Sequence, residues 1–438
     1  MSRFYLVLLL LCSHSLWGQK QLAKLVAHAD KQVLQQDYIE ALDFYQKALE
    51  LEPTSLELLW KMAQTYQASK DYINGAKFYL KVYELDPEGI QFNEAQLNYA
   101  LMLKQQSLYK EALAQFKEVK LKFAEDKSTL IYKKAAQEVG ACNWVLKQLK
   151  NQSAEEKAAL RPHPLNTLDA EFGHAVLDRQ LYFSALKPDS TATDQVEVFA
   201  KSYRMQLFKV GLDNKQQSAL FDISTQHPKY SFGNISFNAN SSAFLCSVCQ
   251  ELSSGLNCEL KWAYQQTDSS WKLDTNAQVL PGLSASYFSM PNLCQVNNEE
   301  LLFFCANLPD GKGGLDIYQA TRKADGSYGD IKSINGINST ENELSPWFDP
   351  LTNRLYFSSS WHFGYGGYDI FYSQLQTDGK FGPPINLGQP YNSPANDLYF
   401  FCDADTAYLS SNRIGSLYAS HPTCCSDIFT NFIDRPEQ

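Results

Sequence analysis

Three stretches of this chain carry residue types that do chemistry. GYGGYDIFYSQ, Gly364–Gln374, sets three glycines ahead of an aspartate, a composition that can cradle a phosphate or a metal. Cys246 and Cys249 form a Cys-x-x-Cys pair, which exchanges disulfides when a helix N-terminus lowers the thiol pKa. This pair instead ends a strand-like run before a Gly-Asn hairpin, so its expected role is structural. Asp310-Gly311-Lys312-Gly313-Gly314 has the acid and glycines of a calcium loop without the full spacing of oxygen ligands. His28, His163, His174, His227, His362 and His421 show no ligand spacing, and no Gly-x-Ser-x-Gly, His-Glu-x-x-His or phosphate-loop motif occurs. The expectation is no catalytic residue, no metal and no cofactor, in a protein that is not an enzyme. Binding chemistry is better represented. Trp361, His362, Phe363 and Tyr365 stand in a glycine-bearing turn where large rings have no strand neighbours, which suits a binding surface unless the rings fold back over the sheet edge.

The elements that would position these residues fall into two kinds. Leu22 to Leu149 reads as helical, interrupted only by Pro53 and Pro87, which are 34 residues apart. The same step relates Ala29 to Ala63, Ala41 to Gly75, Tyr45 to Tyr79 and Ala48 to Val82, the period of a tetratricopeptide solenoid. Ala100, Ala112, Phe116 and Val119 mark a third copy, and Tyr132 to Leu149 supplies a capping helix, so residues 20–150 form an α-helical TPR domain. Its concave face would carry Asp30, Trp60, Gln64, Gln67, Leu97, Leu101 and Lys104; a single lysine makes no basic clamp for a terminal carboxylate. Pro162 and Pro164 forbid a helix, which makes 151–164 the linker and His163 a surface residue.

From 165 to 438 the pattern changes to short β-type runs between Gly, Asn, Asp and Ser. The runs marked by Tyr182, Phe244, Phe303, Tyr356 and Tyr408 are 62, 59, 53 and 52 residues apart, and those marked by Gln206, Glu259, Asp316, Asp369 and Asp427 are 53, 57, 53 and 58 apart. Two rulers give five units of propeller-blade length; a sixth would have to hide between Pro188 and Asp222. HPLNTLDAEF before the first unit resembles the unit ends SINGINST and PINLGQPYNS, so the start of this region should supply the outer strand of the last blade. A residue repeated around a ring is scaffold, which assigns Asp316, Gly366, Gly367, Asp369 and Asp427 to blade turns. For the cysteines, Cys249 with Cys258 and Cys294 with Cys305 are the expected disulfides, with Cys402 reaching Cys424 or Cys425, since adjacent cysteines rarely pair with each other.

Net charge is −10 with a pI near 5.3 and no basic block, so nucleic acid is excluded as a partner. MSRFYLVLLLLCSHSLWGQK has one basic residue, Arg3, ahead of an apolar run from Phe4 to Leu11 and then a small polar end at Gly18-Gln19, the layout of a cleaved signal peptide over 1–19. No small residue precedes Cys12, so no lipid anchor is expected, and no later apolar run is long enough to cross a membrane.

The TPR array followed by L-Y-F-S-S and G-G-Y-D-I-F units, ending in LSSNRIG and CCSDIF, resembles the periplasmic proteins of Bacteroidetes that join such repeats to a WD40-like, TolB-like propeller, and among them the PorE class. That resemblance implies type IX secretion or gliding motility and a PorP/SprF-like outer-membrane barrel as partner. The PorE class also carries an OmpA-like peptidoglycan-binding domain, which nothing after Asp434 to Gln438 supplies, so peptidoglycan contact stays open and any cell-wall tether is expected to come from a partner. The functional expectation is a noncatalytic periplasmic scaffold at the inner face of the outer membrane. The alternative is a glycan- or peptidoglycan-binding module using the loop aromatics.

Overall fold

The computed structural model describes residues 19–151, 160–188, 203–213, 218–252, 255–283, 287–296, 299–418 and 421–433. Nearly all of the expected signal peptide, and 152–159 of the expected linker, lie outside the described residues. The chain forms two compact units, one holding the helices through Ala135 and one beginning at Ala136 and holding the blades.

The helical unit is a solenoid of paired helices: α1 (19–34) with α2 (Tyr38–Leu51), α3 (Leu56–Ala68) with α4 (Tyr72–Leu85), and α5 (Ala95–Gln105) with α6 (Tyr109–Lys122), followed by α7 (Leu130–Asn151). Each pair turns through one residue in the left-handed region, Gln36, Lys70 and Ser107. Asp37 and Asp71 cap the helices that follow by accepting the backbone N–H of Glu40 and Asn74. The residues that kept the 34-residue step are the core: Ala41, Tyr45 and Ala48, then Gly75, Tyr79 and Val82, then Ala112, Phe116 and Val119, are all buried. Small residues allow the helices to approach and the aromatics fill the remaining space.

The second unit is a five-bladed propeller of four-stranded antiparallel sheets. Blade 1 holds β2 (Ala170–Leu177), β3 (Gln180–Pro188), β4 (Tyr203–Gly211) and β5 (Ala219–Leu220). A short helix, α8 (Asp222–Gln226), leads to blade 2, with β6 (Ser231–Phe237), β7 (Ala243–Leu252), β8 (Gly255–Gln265) and β9 (Trp271–Leu273). Blade 3 holds β10 (Phe288–Val296), β11 (Glu299–Ala306), β12 (Asp316–Arg322) and β13 (Tyr328–Ser333). Blade 4 holds β14 (Glu343–Asp349), β15 (Arg354–Ser359), β16 (Asp369–Gln374) and β17 (Ile385–Asn386). Blade 5 runs through β18 (Asp397–Asp403), β19 (Thr406–Ser411) and β20 (Asp427–Phe432), and its outer strand is β1 (Arg161–Pro162), paired as Arg161 with Thr430 and Pro162 with Phe429. The ring therefore closes with its own N-terminal strand, just upstream of the expected segment. His163 is buried rather than on the surface, its N–H donated to the Ile428 carbonyl at 2.8 Å.

Three seams share one clamp. Asn338 accepts the Ile317 N–H at 2.9 Å and donates to its carbonyl at 2.8 Å. Asn392 does the same to Ile370, at 2.7 and 2.8 Å, and Asn166 to Ile428, at 3.0 and 2.8 Å. Each asparagine precedes the first strand of a blade and holds the third strand of the blade before it. At the seam between blades 1 and 2, Ser224 of α8 accepts the Leu207 N–H instead, at 2.9 Å.

Replacing Asn166 by alanine orphans the Ile428 N–H at the closing seam, while the Ile428 carbonyl keeps the His163 N–H, and is expected to lower stability by about 1–3 kcal/mol. Urea unfolding measures it, and a midpoint equal to wild type would contradict the clamp.

Candidate functional site

The repeated acids are committed to the scaffold. Asp369 accepts the backbone N–H groups of Tyr365 and Gly366, both at 2.9 Å, while Asp316 accepts from Lys312 and Asp427 from Leu417. Each folds its own loop back onto the start of a third strand. Gly366 serves close approach rather than chain reversal: a Cβ there would stand 2.3 Å from the Pro394 and Ala395 carbonyl oxygens of the next blade. A second set, Glu171, Glu343 and Asp397, opens the first strands of blades 1, 4 and 5, each accepting the backbone N–H and hydroxyl of a Thr or Ser four residues earlier. Asp397 also takes Arg413, and Glu171 takes Lys187. Burial pushes the Glu343 carboxyl up to about 7 against the hydrogen bonds of Ser339 and Ser359, with Asp316 adding to the rise. Burial likewise brings Asp427 to about 7, with Glu171 adding.

The aromatic loop folds inward. Tyr365 is only 2% exposed and meets Trp144 edge-on at 5.3 Å; that tryptophan lies on the part of α7 that belongs to the propeller unit. Gln137 donates to the Trp361 carbonyl at 2.9 Å. His362 sits against the Ile337 carbonyl at 2.8 Å and the rings of Phe357 and Phe371, and burial lowers its pKa. Tyr365 is thus corrected from a contact residue to a core residue. Phe363 stays 39% exposed, and with Trp144, Gln148, His362 and Ile385 it borders a groove of about 640 Å³.

A different site lies on the ring axis. Every first strand has a β-bulge, between Phe172 and Ala175, Gly233 and Ser236, Ser289 and Asn292, Leu344 and Trp347, and Leu398 and Phe401. At each bulge one residue takes a positive φ: Gly173 (59°), Asn234 (53°), Met290 (54°), Ser345 (50°) and Tyr399 (56°). Outside glycine this conformation costs roughly 1–2 kcal/mol per residue. The exposed bulge amides are taken up by the serines of neighbouring second strands, Asn234 N–H by Ser184 at 3.1 Å and Met290 N–H by Ser247 at 3.0 Å. From the bulges onward all five strands line one channel of about 270 Å³, with Trp347, Tyr399, Phe400 and Phe401 among its walls. Buried Nε2 of His174, Oδ1 of Asn234 and Oγ of Ser345, all on lining residues, have no hydrogen-bond partner. At the bulge end, Tyr399 stacks on Phe172 at 5.8 Å. No binding candidate from the sequence lines this channel; of the residues singled out there, only His174 and Cys402, the latter as an expected disulfide partner, stand on its wall. Its only trace was proline inside a strand-like run, Pro291 and Pro346, since proline in a sheet is confined to edges and bulges.

On the solenoid, Gln64 is exposed, whereas Leu97 and Lys104 are buried and cannot belong to an open surface. Trp60 stacks on Phe92 at 4.7 Å, and Asp30 accepts Tyr45 at 2.5 Å and Lys61 at 2.8 Å. Gln67 takes the Tyr79 hydroxyl, and Leu101 packs on the core. Cys249 and Cys258 stand directly opposite in the β7–β8 ladder and are bonded. Cys294 and Cys305 are not, because the β10–β11 register sets Cys294 against Leu301 and Cys305 against Ser289. Cys402 faces Ala407 and stays a thiol, while Cys424 and Cys425 bond to each other, contrary to the expectation of separate partners. Among the described residues no group of three or more acidic, His or Cys side chains is placed to hold a metal, and no helix is long and apolar enough to cross a membrane.

No family model and no curated protein matches the chain. Among solved structures it is similar to a β-xylosidase, with 13% identity, a TM-score of 0.42 and coverage of 63% of this chain and 94% of that one. It is similar to a family 43 β-xylosidase/α-arabinofuranosidase from a compost microbial metagenome, at 12% identity and TM-score 0.40 over 63% and 95%. The solenoid is similar to the Sgt2 TPR domain of Aspergillus fumigatus, at 17% identity and TM-score 0.25 over 30% and 82%. Likenesses this distant assign no activity. The expectation of a TolB-like or PorE propeller is nonetheless not carried forward, since the propellers to which the chain is similar here are those of glycoside hydrolases. Membership in that family, the secretion or gliding scaffold and the exclusion of enzymatic activity are all withdrawn.

The raised carboxyls set a pH dependence of stability. Glu343 and Asp427 hold their protons to about pH 7 in the fold, against ordinary values of 4.5 and 3.8. The native state therefore binds more protons in that window, and stability is lost as pH rises through about 7. The melting temperature is expected to fall by several degrees between about pH 5.5 and about pH 8, at ~2–4 °C per kcal/mol. Glu343→Gln should flatten part of this fall; a profile identical to wild type would contradict the assignment to Glu343.

Proposed function

We propose that the propeller is a glycan-binding domain whose central channel holds the sugar. The observation that carries this reading is the convergence, in one concave space, of aromatic walls from Trp347, Tyr399 and Phe401 with lining residues whose buried polar atoms lack partners. Pockets for small ligands have this composition, apolar surface with a few convergent polar groups. An unpaired buried polar atom is costly until a ligand or water pairs with it, and sugar hydroxyls both donate and accept. This reading keeps the glycan-binding alternative from the sequence but moves its site from the Trp361–Tyr365 loop to the ring axis.

Two further expectations enter as proposals. An exported, periplasmic location rests on the signal-like first residues and is tested by cell fractionation. Association with a PorP/SprF-like membrane barrel is tested by stoichiometric copurification in mild detergent.

The binding test is calorimetric titration of a panel of oligosaccharides, with product analysis of the same mixtures to register any cleavage. Tyr399→Gly removes the ring and relieves the left-handed backbone, as Gly173 does in blade 1. It is expected to fold and to bind at least about tenfold more weakly, roughly 1.4 kcal/mol. Phe363→Ala, in the outer groove, should bind as wild type does. Loss of binding in Phe363→Ala with retention in Tyr399→Gly would overturn the channel and favour the groove.

A further inference from the structure

We infer that the channel, taken as the glycan site proposed above, accepts one uncharged sugar ring at the end of a chain and rejects acidic sugars. Size is the first argument. The channel's volume is about 270 Å³. That is the space of a single ring with its hydroxyls, and it falls just under the ~300 Å³ where pockets for larger ligands begin. The five blades surround this space, and the stacked rings of Phe172 and Tyr399 stand at its bulge end. A sugar must therefore enter along the axis, end first.

Charge is the second argument. No lysine or arginine lines the channel, and the one ionisable acid on its wall is Asp403. His174 adds no positive charge, because burial, helped by nearby His163, lowers its pKa to about 3. Backbone donors are also committed: the bulge amides of Asn234 and Met290 go to Ser184 and Ser247, and that of Ser345 faces the Met290 sulfur at 3.2 Å. A carboxylate carried into this space would lose its water, gain no cation and face Asp403, a combination that strongly disfavours the charged form. Hydroxyls meet no such barrier, and they can pair with the unsatisfied atoms of His174, Asn234 and Ser345.

The experiment compares matched methyl pyranosides and their uronic acids in the gluco, galacto and manno series by calorimetry at neutral pH, using the whole protein. At least one neutral sugar should bind at least about tenfold more tightly than its uronate, and Asp403→Asn should narrow the gap. Thermal melting confirms that each variant is folded. If a uronate binds as tightly as its neutral partner, and both are weakened in Tyr399→Gly, selection for neutral rings is overturned while the channel site stands. If neither series binds, or binding survives Tyr399→Gly, the channel reading fails and this inference fails with it.

Discussion

An asparagine side chain that both accepts and donates across a blade seam is the contact on which this propeller rests. A four-stranded blade buries neither face alone, and the backbone of its third strand begins where a loop has just ended, beyond the regular ladder. Asn338, Asn392 and Asn166 accept the N–H of Ile317, Ile370 and Ile428 and add a second donor to carbonyls that already take one backbone N–H. The next residue then anchors the loop in turn: Thr167, Ser339 and Ser393 bind Glu171, Glu343 and Asp397 at the head of the following first strand. Because the last of these seams joins the two ends of the propeller's chain, the same bonds that register neighbouring blades also close the ring.

Closure fixes the axis. First strands held at their heads must still curve past one another, and each does so with a bulge whose left-handed residue faces the centre of the ring. Four of those residues are not glycine, so backbone strain is retained where side chains reach the channel, as happens at functional sites. The acids that first suggested chemistry lie on the seams instead, where their oxygens organise loops.

Much of the architecture was legible because it repeats. The 34-residue step located the helical pairs, since small residues must recur where helices touch, and two independent rulers through Tyr356 and Asp369 counted the blades. The glycine-rich stretch ending in Asp369 was read as scaffold with chain-reversal glycines, whereas what Gly366 answers is the backbone of Pro394 and Ala395 passing close by, which no local pattern reveals. Sites were much less legible. Bulge residues as unlike as Asn234, Met290, Ser345 and Tyr399 share a conformation and no chemistry, so no motif marks them. Tyr365 looked exposed because its partner, Trp144, lies more than two hundred residues earlier. Proximity suggested a Cys294–Cys305 bond that ladder register forbids.

Function was read least well where it leaned on resemblance rather than on residues. The proposed glycan reading rests instead on the channel's own residues, aromatic walls beside buried polar atoms without partners. The most direct test is a crystal structure of the protein soaked with the neutral oligosaccharide that binds best. The account predicts density for one sugar ring on the propeller axis, against Trp347 and Tyr399. Density beside Phe363 and Ile385, with an empty axis, would contradict it.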